Sequence, residues 1–371
     1  MDAAKRIAAG LLEGADVRID GDRPWDIRVH NEDFYGRVLA GGSLALGESY
    51  MDGWWDSGAV DELLSRILSH DLQKNVRTSP AVLLVGLKAA LVNLQRKSRA
   101  FNIGRRHYDL GNDLYCLMLD KGMNYSCGYW KHADNLDAAQ EAKLELVCRK
   151  IGLQKGMRVL DIGCGWGGFA RHAAERHGAR VVGITVSREQ AGLAQERCKG
   201  LPVEIRLQDY RDVNEHFDRV VSIGMIEHVG YKNYRRYMEV VARCLVPDGL
   251  FLLHTIGGNL SSRVPDPWSD RYIFPDSLLP SSRQLTAAAE GLFIMEDWHS
   301  FGQYYDPTLM AWHRNFTAGW SSIKERYGER FFRMWTFYLL SSAGSFRARH
   351  IQLWQIVFSR LGTSRPYESI R

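Results

Sequence analysis

No apolar run in this sequence reaches the length needed to cross a bilayer. The nearest, AVLLVGLKAALVNL (81–94), is short and interrupted by Lys88. The N-terminus, MDAAKRIAAGLLEGADV, has neither a long apolar core nor a signal-type cleavage site. Anything done at a membrane is therefore expected from its surface, and the expected location is the cytoplasm. Cysteine is sparse: Cys116, Cys127, Cys148, Cys164, Cys198 and Cys244 form no C-x-x-C, and none has a histidine at metal-ligand spacing. That argues against a disulfide framework and against a metal centre, and fits a reducing compartment. Internal repeats and low-complexity tracts are missing too.

What is present is a chain of 371 residues, 45% hydrophobic and 25% charged. This is enough for a sizeable core and more than one domain. The net charge of +5 is unevenly spread. Residues 1–90 carry 10 basic and 14 acidic groups, whereas 91–108 (LVNLQRKSRAFNIGRRHY) carry five basic groups and no acid. Residues 324–371 hold nine basic groups against three acids. Two basic stretches on a nearly balanced chain suggest an anionic surface as partner, lipid or nucleic acid, or else a solvated linker and tail.

Residues 1–80 mix short helical and extended patterns and carry no motif attachable to a reaction. Residues 81–99 read as an amphipathic helix that turns basic, with a domain boundary near 92–100. From about 108 the pattern is regular. RVLDIG (158–163), ARVVGIT (179–185), VEIRLQD (203–209), DRVVSIG (218–224) and LFLLHTI (250–256) read as strands. Helices are expected at 169–177, 187–198 and 232–245, and a turn at Pro247-Asp248-Gly249. Such alternation predicts an α/β fold, a Rossmann-like doubly wound sheet of parallel βαβ units beside a smaller N-terminal domain. IMEDWHSF (294–301) and HIQLWQIVFSR (350–360) supply the last two strands. A helical insertion over 306–341 is expected at the carboxyl edge, where ligands bind in such folds.

DIGCGWGG (161–168) lies between a strand and a helix. Its glycines let the backbone approach a ligand closely, and the helix start offers unpaired N–H groups. The nicotinamide pattern G-x-G-x-x-G is not met, and the second strand ends in Thr185 rather than an acid. The loop instead resembles the first motif of S-adenosylmethionine-dependent methyltransferases, with LQDY (207–210) where that fold holds adenine. Many such enzymes place an acid after the second strand for the ribose. Here Thr185 and Gln190 are left to do this by neutral hydrogen bonds.

The resemblance becomes specific over HYDLGNDLYCLMLDKGMNYSCGYW (107–130), VLDIGCGWGG (159–168), SIGMIEHVG (222–230), LLHTIG (252–257) and YDPTLMAWHRNF (305–316). Together these resemble the cyclopropane-fatty-acyl-phospholipid synthase family, over nearly the whole chain. The mycolic acid cyclopropane synthases share mainly the catalytic domain. The resemblance implies methylene transfer from S-adenosylmethionine to a cis double bond of an unsaturated acyl chain in membrane phospholipid. It also implies a homodimer, and an N-terminal domain (1–92) for lipid engagement and dimerisation. A basic linker (93–108) and a catalytic domain (109–371) follow. Peripheral contact with an anionic bilayer at the inner face of the cell membrane fits the basic stretches.

An alkene is a poor nucleophile, but a sulfonium methyl is a strong electrophile, so alignment and exclusion of water are the main requirements. Aromatic faces stabilise the resulting carbocation without trapping it, and ring closure needs a base. By resemblance that base is a bound bicarbonate ion, caged by Cys127, Glu227, His254, the backbone of Ile256, and Tyr305. Of these, Cys127, Glu227, His254 and Tyr305 are the implied catalytic side chains. The resemblance maps cofactor contacts onto Tyr125, Ser126, Gly163, Gly165, Thr185, Gln190, Asp209 and Tyr210. Gly167 completes the loop, and Asp161 braces its amides. Relatives carry a cysteine where SSAGSFR (341–347) has Ser342; a carbocation route needs no thiol there.

Taken singly, Cys127 reads equally as a small buried hydrophobe, His254 as a satisfied core histidine and Tyr305 as packing. Glu227, an acid after the fourth strand in apolar surroundings, stands better alone. Other readings are a fatty-acyl methyltransferase giving a branched chain, and a lipid-binding module with a relic cofactor fold. A nucleic-acid methyltransferase is disfavoured because N-P-P-Y and Pro-Cys motifs are missing; no nucleic acid and no metal are expected.

Overall fold

In the computed structural model, residues 3–70 and 111–371 are described. The stretches 81–99 and 93–108, expected to be an amphipathic helix and a basic linker, fall wholly outside them. The described residues divide into two compact units. The first comprises 3–70, 263–275 and 305–351; the second comprises 111–262, 276–304 and 352–371.

The first unit is mostly helical: Ala3–Gly14, Phe34–Met51, Val60–Ser69, Pro267–Tyr272, Tyr305–Gly319 and Glu329–Arg347. A short antiparallel ribbon pairs β1 (Arg28–Val29) with β2 (Trp55–Asp56). Fully buried Trp55 lies 5.0 Å from Tyr50, and Phe337 meets Trp268 edge-on at 4.8 Å. The long helix Glu329–Arg347 packs so closely on Val60–Ser69 that a Cβ at Gly344 would stand 2.4 Å from the Asp61 carbonyl oxygen. One turn on, Arg347 reaches Asp61 at 2.7 Å, Glu62 at 3.1 Å and Asp306 at 3.0 Å. Expected boundaries at 1–92, 93–108 and 109–371 assign 263–275 and 305–351 to the catalytic domain. In the structure those segments pack with the N-terminal helices, for the steric and ionic reasons just given.

The second unit is built on a seven-stranded sheet of β3 (Arg158–Ile162), β4 (Arg180–Thr185), β5 (Val203–Leu207), β6 (Phe217–Ile223), β7 (Leu245–Gly258), β8 (Phe293–Ser300) and β9 (Ile351–Arg360). Strand order is β5-β4-β3-β6-β7-β9-β8. β5 through β7 pair in parallel, and β8 pairs antiparallel with β9. The expected doubly wound sheet and its last two strands are present. The Pro247-Asp248-Gly249 turn proves to be an irregularity within β7, between the pairs Phe217–Leu245 and Arg219–Leu250.

The near-continuous apolar runs follow from burial on both faces. Successive residues alternate between two cores. Leu160, Val220, Phe251 and Ile356 face one, with Tyr237, Met238 and Leu285 from helices Tyr234–Cys244 and Ser282–Ala289. Val159, Val221, Leu252 and Val357 face the other, with Val147 from Leu136–Lys150 and Phe169 and Ala173 from Gly168–His177. Side-chain caps fix where several helices start: Asn135 accepts from Ala138 N–H at 2.9 Å, and Ser281 forms a capping box with Gln284.

Candidate active site

The carboxyl ends of β3, β4, β5 and β6 open onto one cavity. At the end of β3, Gly163 takes φ +82°, and a Cβ there would press on Met225 at 2.8 Å, so only glycine fits. A Cβ at Gly165 would meet nothing, which leaves the loop's backbone open to a ligand. Trp166, also in the loop, is buried as a support: its indole N–H donates to Asn112 at 2.9 Å and its ring packs on Tyr115.

Of the residues expected to hold the cofactor, Tyr125, Ser126, Asp161, Gly163, Gly165, Thr185, Gln190, Asp209 and Tyr210 line this cavity; Gly167 does not, although Gly168 does. The Thr185 hydroxyl donates to Gln190 Oε1 at 2.9 Å, so these two form one neutral polar wall. Asp209 is buried and accepts the Arg211 N–H at 2.9 Å. Asp161 is buried with Oδ2 unpartnered, and burial pushes its carboxyl up to about 7. It therefore does not brace the loop through that oxygen.

The residues expected to do chemistry lie elsewhere than this lining. Glu227 follows β6 and is buried. Its Oε1 accepts the Ile256 N–H at 2.8 Å, while Oε2 has no partner. Burial raises its carboxyl to about 7 against the pull of those hydrogen bonds. The Ile256 N–H, expected to face an anion, is thus engaged by Glu227. His254, in β7, is buried, and Gln355 donates its amide to Nδ1 at 3.2 Å. Burial holds its ring neutral, its pKa well below the usual value, and Nε2 has no hydrogen-bond partner. Cys127 is fully buried, its thiol donating to the Gly128 carbonyl at 3.2 Å. Tyr305 belongs to the first unit, stacked on Phe346 at 4.4 Å.

Lys143 escaped the sequence reading. It is 1% exposed, lines the cavity, and donates to Ser126 Oγ at 2.9 Å and Asn124 Oδ1 at 3.4 Å. Burial lowers its ammonium to about 8, opposed by the charges of Asp120, Cys127 and Asp161. The same ammonium depresses His254. Lys143 thus couples the cofactor wall to the buried thiol and imidazole. A signal was present: Lys143 shares a helical face with Leu136, Ala139, Leu146 and Val147, where a lysine is costly unless it is employed.

The profile of the family described as "Mycolic acid cyclopropane synthetase" matches residues 95–356. The chain belongs to this family. It is 56% identical over 355 residues to the cyclopropane-fatty-acyl-phospholipid synthase of Escherichia coli (strain K12), covering 96% of this chain and 93% of that protein. Among solved structures, the cyclopropane synthase MmaA2 from Mycobacterium tuberculosis superposes with a TM-score of 0.67 at 31% identity, covering 72% of this chain and 100% of that one. Mycolic acid cyclopropane synthase CmaA1, complexed with SAH and CTAB, gives 0.66 at 32% identity, covering 70% and 98%. As a member of the cyclopropane synthetase family, the chain is an S-adenosylmethionine-dependent enzyme of the methyltransferase class. The open glycine backbone, the neutral Thr185–Gln190 wall and the Asp209 carboxylate suit that cofactor. Among the described residues no helix is long and apolar enough to cross a membrane.

Proposed function

We propose that the chain adds a methylene group to a cis double bond of an unsaturated acyl chain in membrane phospholipid, closing a cyclopropane ring. The observation that carries this reading is Glu227: a buried carboxyl with one oxygen fixed by the Ile256 N–H and the other unpartnered. Bound S-adenosylmethionine supplies the electrophilic methyl group, and bound bicarbonate the base. In the substrate, the alkene π electrons form the new C–C bond and leave a cation on the neighbouring carbon. Loss of a proton from the added carbon lets its C–H electrons close the ring.

The chain's own task is to hold, orient and exclude water. Tyr125, Ser126, Gly163, Gly165, Thr185, Gln190, Asp209 and Tyr210 hold the cofactor, with Asp161 beneath, while Gly167 makes the left-handed turn into helix Gly168–His177. The Nε2 hydrogen of His254 donates to the anion, and the Cys127 thiol joins it by turning from the Gly128 carbonyl. Glu227 Oε2 would orient the anion, or accept its proton, through a hydrogen lying between the two. Ile256 acts through Glu227, whose orientation its N–H fixes. Phe301, 5.9 Å from His254 and 5.4 Å from Tyr129, offers a ring face to a cation without a lone pair to trap it. The basic stretches 91–108 and 324–371 dock the enzyme on anionic bilayers, as a homodimer at the inner membrane face.

The test supplies the purified chain with S-adenosylmethionine and vesicles of monounsaturated phosphatidylglycerol, with and without bicarbonate. Expected are released fatty acids heavier by one CH2, showing cyclopropyl protons by NMR, in yields that rise with bicarbonate. No added CH2, or an added methyl with the alkene retained, overturns the reading. Indifference to bicarbonate overturns the caged base alone. Vesicle binding is expected to weaken steeply with salt.

A further inference from the structure

The sequence spacing of cysteine and histidine gives no metal motif, yet folding gathers one. Helix Leu136–Lys150 carries Glu145 and Cys148 on one side (i, i+3), and helix Gly168–His177 presents His172 and His177. Ligating atoms of Cys148, His172 and His177 all lie within 4.8 Å of one another. Glu145 Oε2 stands 3.0 Å from His177 Nε2 and 3.5 Å from His172 Nε2. Cys148 is fully buried at the core end of the group, whereas Glu145 is half-exposed at its outer end. The His172 side chain is only 10% exposed, and its Nε2 makes no hydrogen bond. An imidazole buried that far ordinarily finds a partner.

We propose that Cys148, His172, His177 and Glu145 form a binding site for Zn2+, separate from the cofactor cavity. None of the four lines that cavity. The donor set is one thiolate, two imidazoles and one carboxylate, which is the chemistry of four-coordinate zinc rather than of magnesium or calcium. Zinc bonds of about 2.0–2.3 Å place tetrahedral ligands roughly 3.5 Å apart, so the group needs to close by roughly 1 Å. His177 and Glu145, the more exposed members, have room to move. Binding displaces the Cys148 thiol proton to solvent and ties the helix preceding β3 to the helix that follows the glycine loop. The argument does not depend on the proposed lipid reaction.

The test titrates the full chain, stripped with a chelator and desalted, with Co2+ and then with Zn2+. Expected are a thiolate-to-cobalt charge-transfer band with tetrahedral d–d bands, bleached by one equivalent of Zn2+, and a thermal midpoint raised by several degrees. Cys148→Ser is expected to abolish the charge-transfer band. His177→Ala, on the more exposed side, is expected to weaken Zn2+ binding by on the order of 100-fold while leaving fold and turnover intact. No thiolate band at saturating Co2+, a band that survives Cys148→Ser, or undiminished affinity in His177→Ala overturns the site.

Discussion

Each compact unit contains a group of ionisable side chains, and the two groups are built in opposite ways. In the first unit Arg347 spans Asp61, Glu62 and Asp306, and Arg333 meets Asp56 at 2.7 Å. In the second unit Glu227 Oε2, His254 Nε2 and Asp161 Oδ2 are buried with no hydrogen-bond partner. Satisfied networks hold helices together, whereas unsatisfied buried atoms cost stability and persist where a ligand completes them. The contrast sets these two groups apart as scaffold and candidate site.

The largest effect that sharpens this contrast is expected from Glu227→Gln. Turnover should fall by about 10²–10⁴-fold, with S-adenosylmethionine binding retained by calorimetry. A drop of only a few-fold would place Glu227 with the scaffold. The same variant carries a signature in stability. The folded carboxyl titrates near 7 against 4.5 for the free side chain, so the folded state holds the extra proton between those values. Native stability therefore falls as pH rises across that window. Glu227→Gln, which lacks the proton, should gain on the native chain by up to about 3 kcal/mol between pH 4.5 and 7, read by denaturant melts.

Lys143→Met comes next, with turnover lower by roughly 10–100-fold and a normal circular dichroism spectrum. Because the native ammonium loses its proton near pH 8, native activity should decline above that pH, and the methionine variant should lack this limb. Identical alkaline limbs would show that Lys143 only packs. The smallest effect is expected from Arg347→Met. Its side chain is 31% exposed, so losing it should cost about 1–2 kcal/mol in thermal or denaturant unfolding, with turnover per folded molecule within about twofold.

The sheet was legible because its inner strands β3, β4 and β6 are buried on both faces and therefore read as nearly unbroken apolar runs closed by glycine or Thr185. The glycine loop was legible for the same local reason, since positive φ at Gly163 permits little else. What sequence order concealed was grouping. Nothing local announces that Glu329–Arg347 packs on Val60–Ser69, or that Glu227 spends the Ile256 N–H. Lys143 was overlooked because attention to motifs passes over a lysine inside a helix. Cys148, His172 and His177 converge only once two helices lie side by side on the sheet, so spacing rules written for contiguous motifs do not register them.

The three-segment make-up of the first unit has a consequence for biosynthesis. Helix Val60–Ser69 leaves the ribosome about 235 residues before Tyr305–Gly319 begins, and still further ahead of the helix that carries Gly344 and Arg347. At about 5–20 residues per second, the N-terminal helices wait roughly 12–47 s for the partners that bury Trp55 and pair Asp61. During that interval their apolar faces need either transient shielding or a provisional arrangement. Five of the seven strands of the second unit's sheet have been made by residue 258, before the last two segments of the unit that starts the chain. This protein is therefore expected to mature from its middle outwards, with the first-made segment among the last to settle.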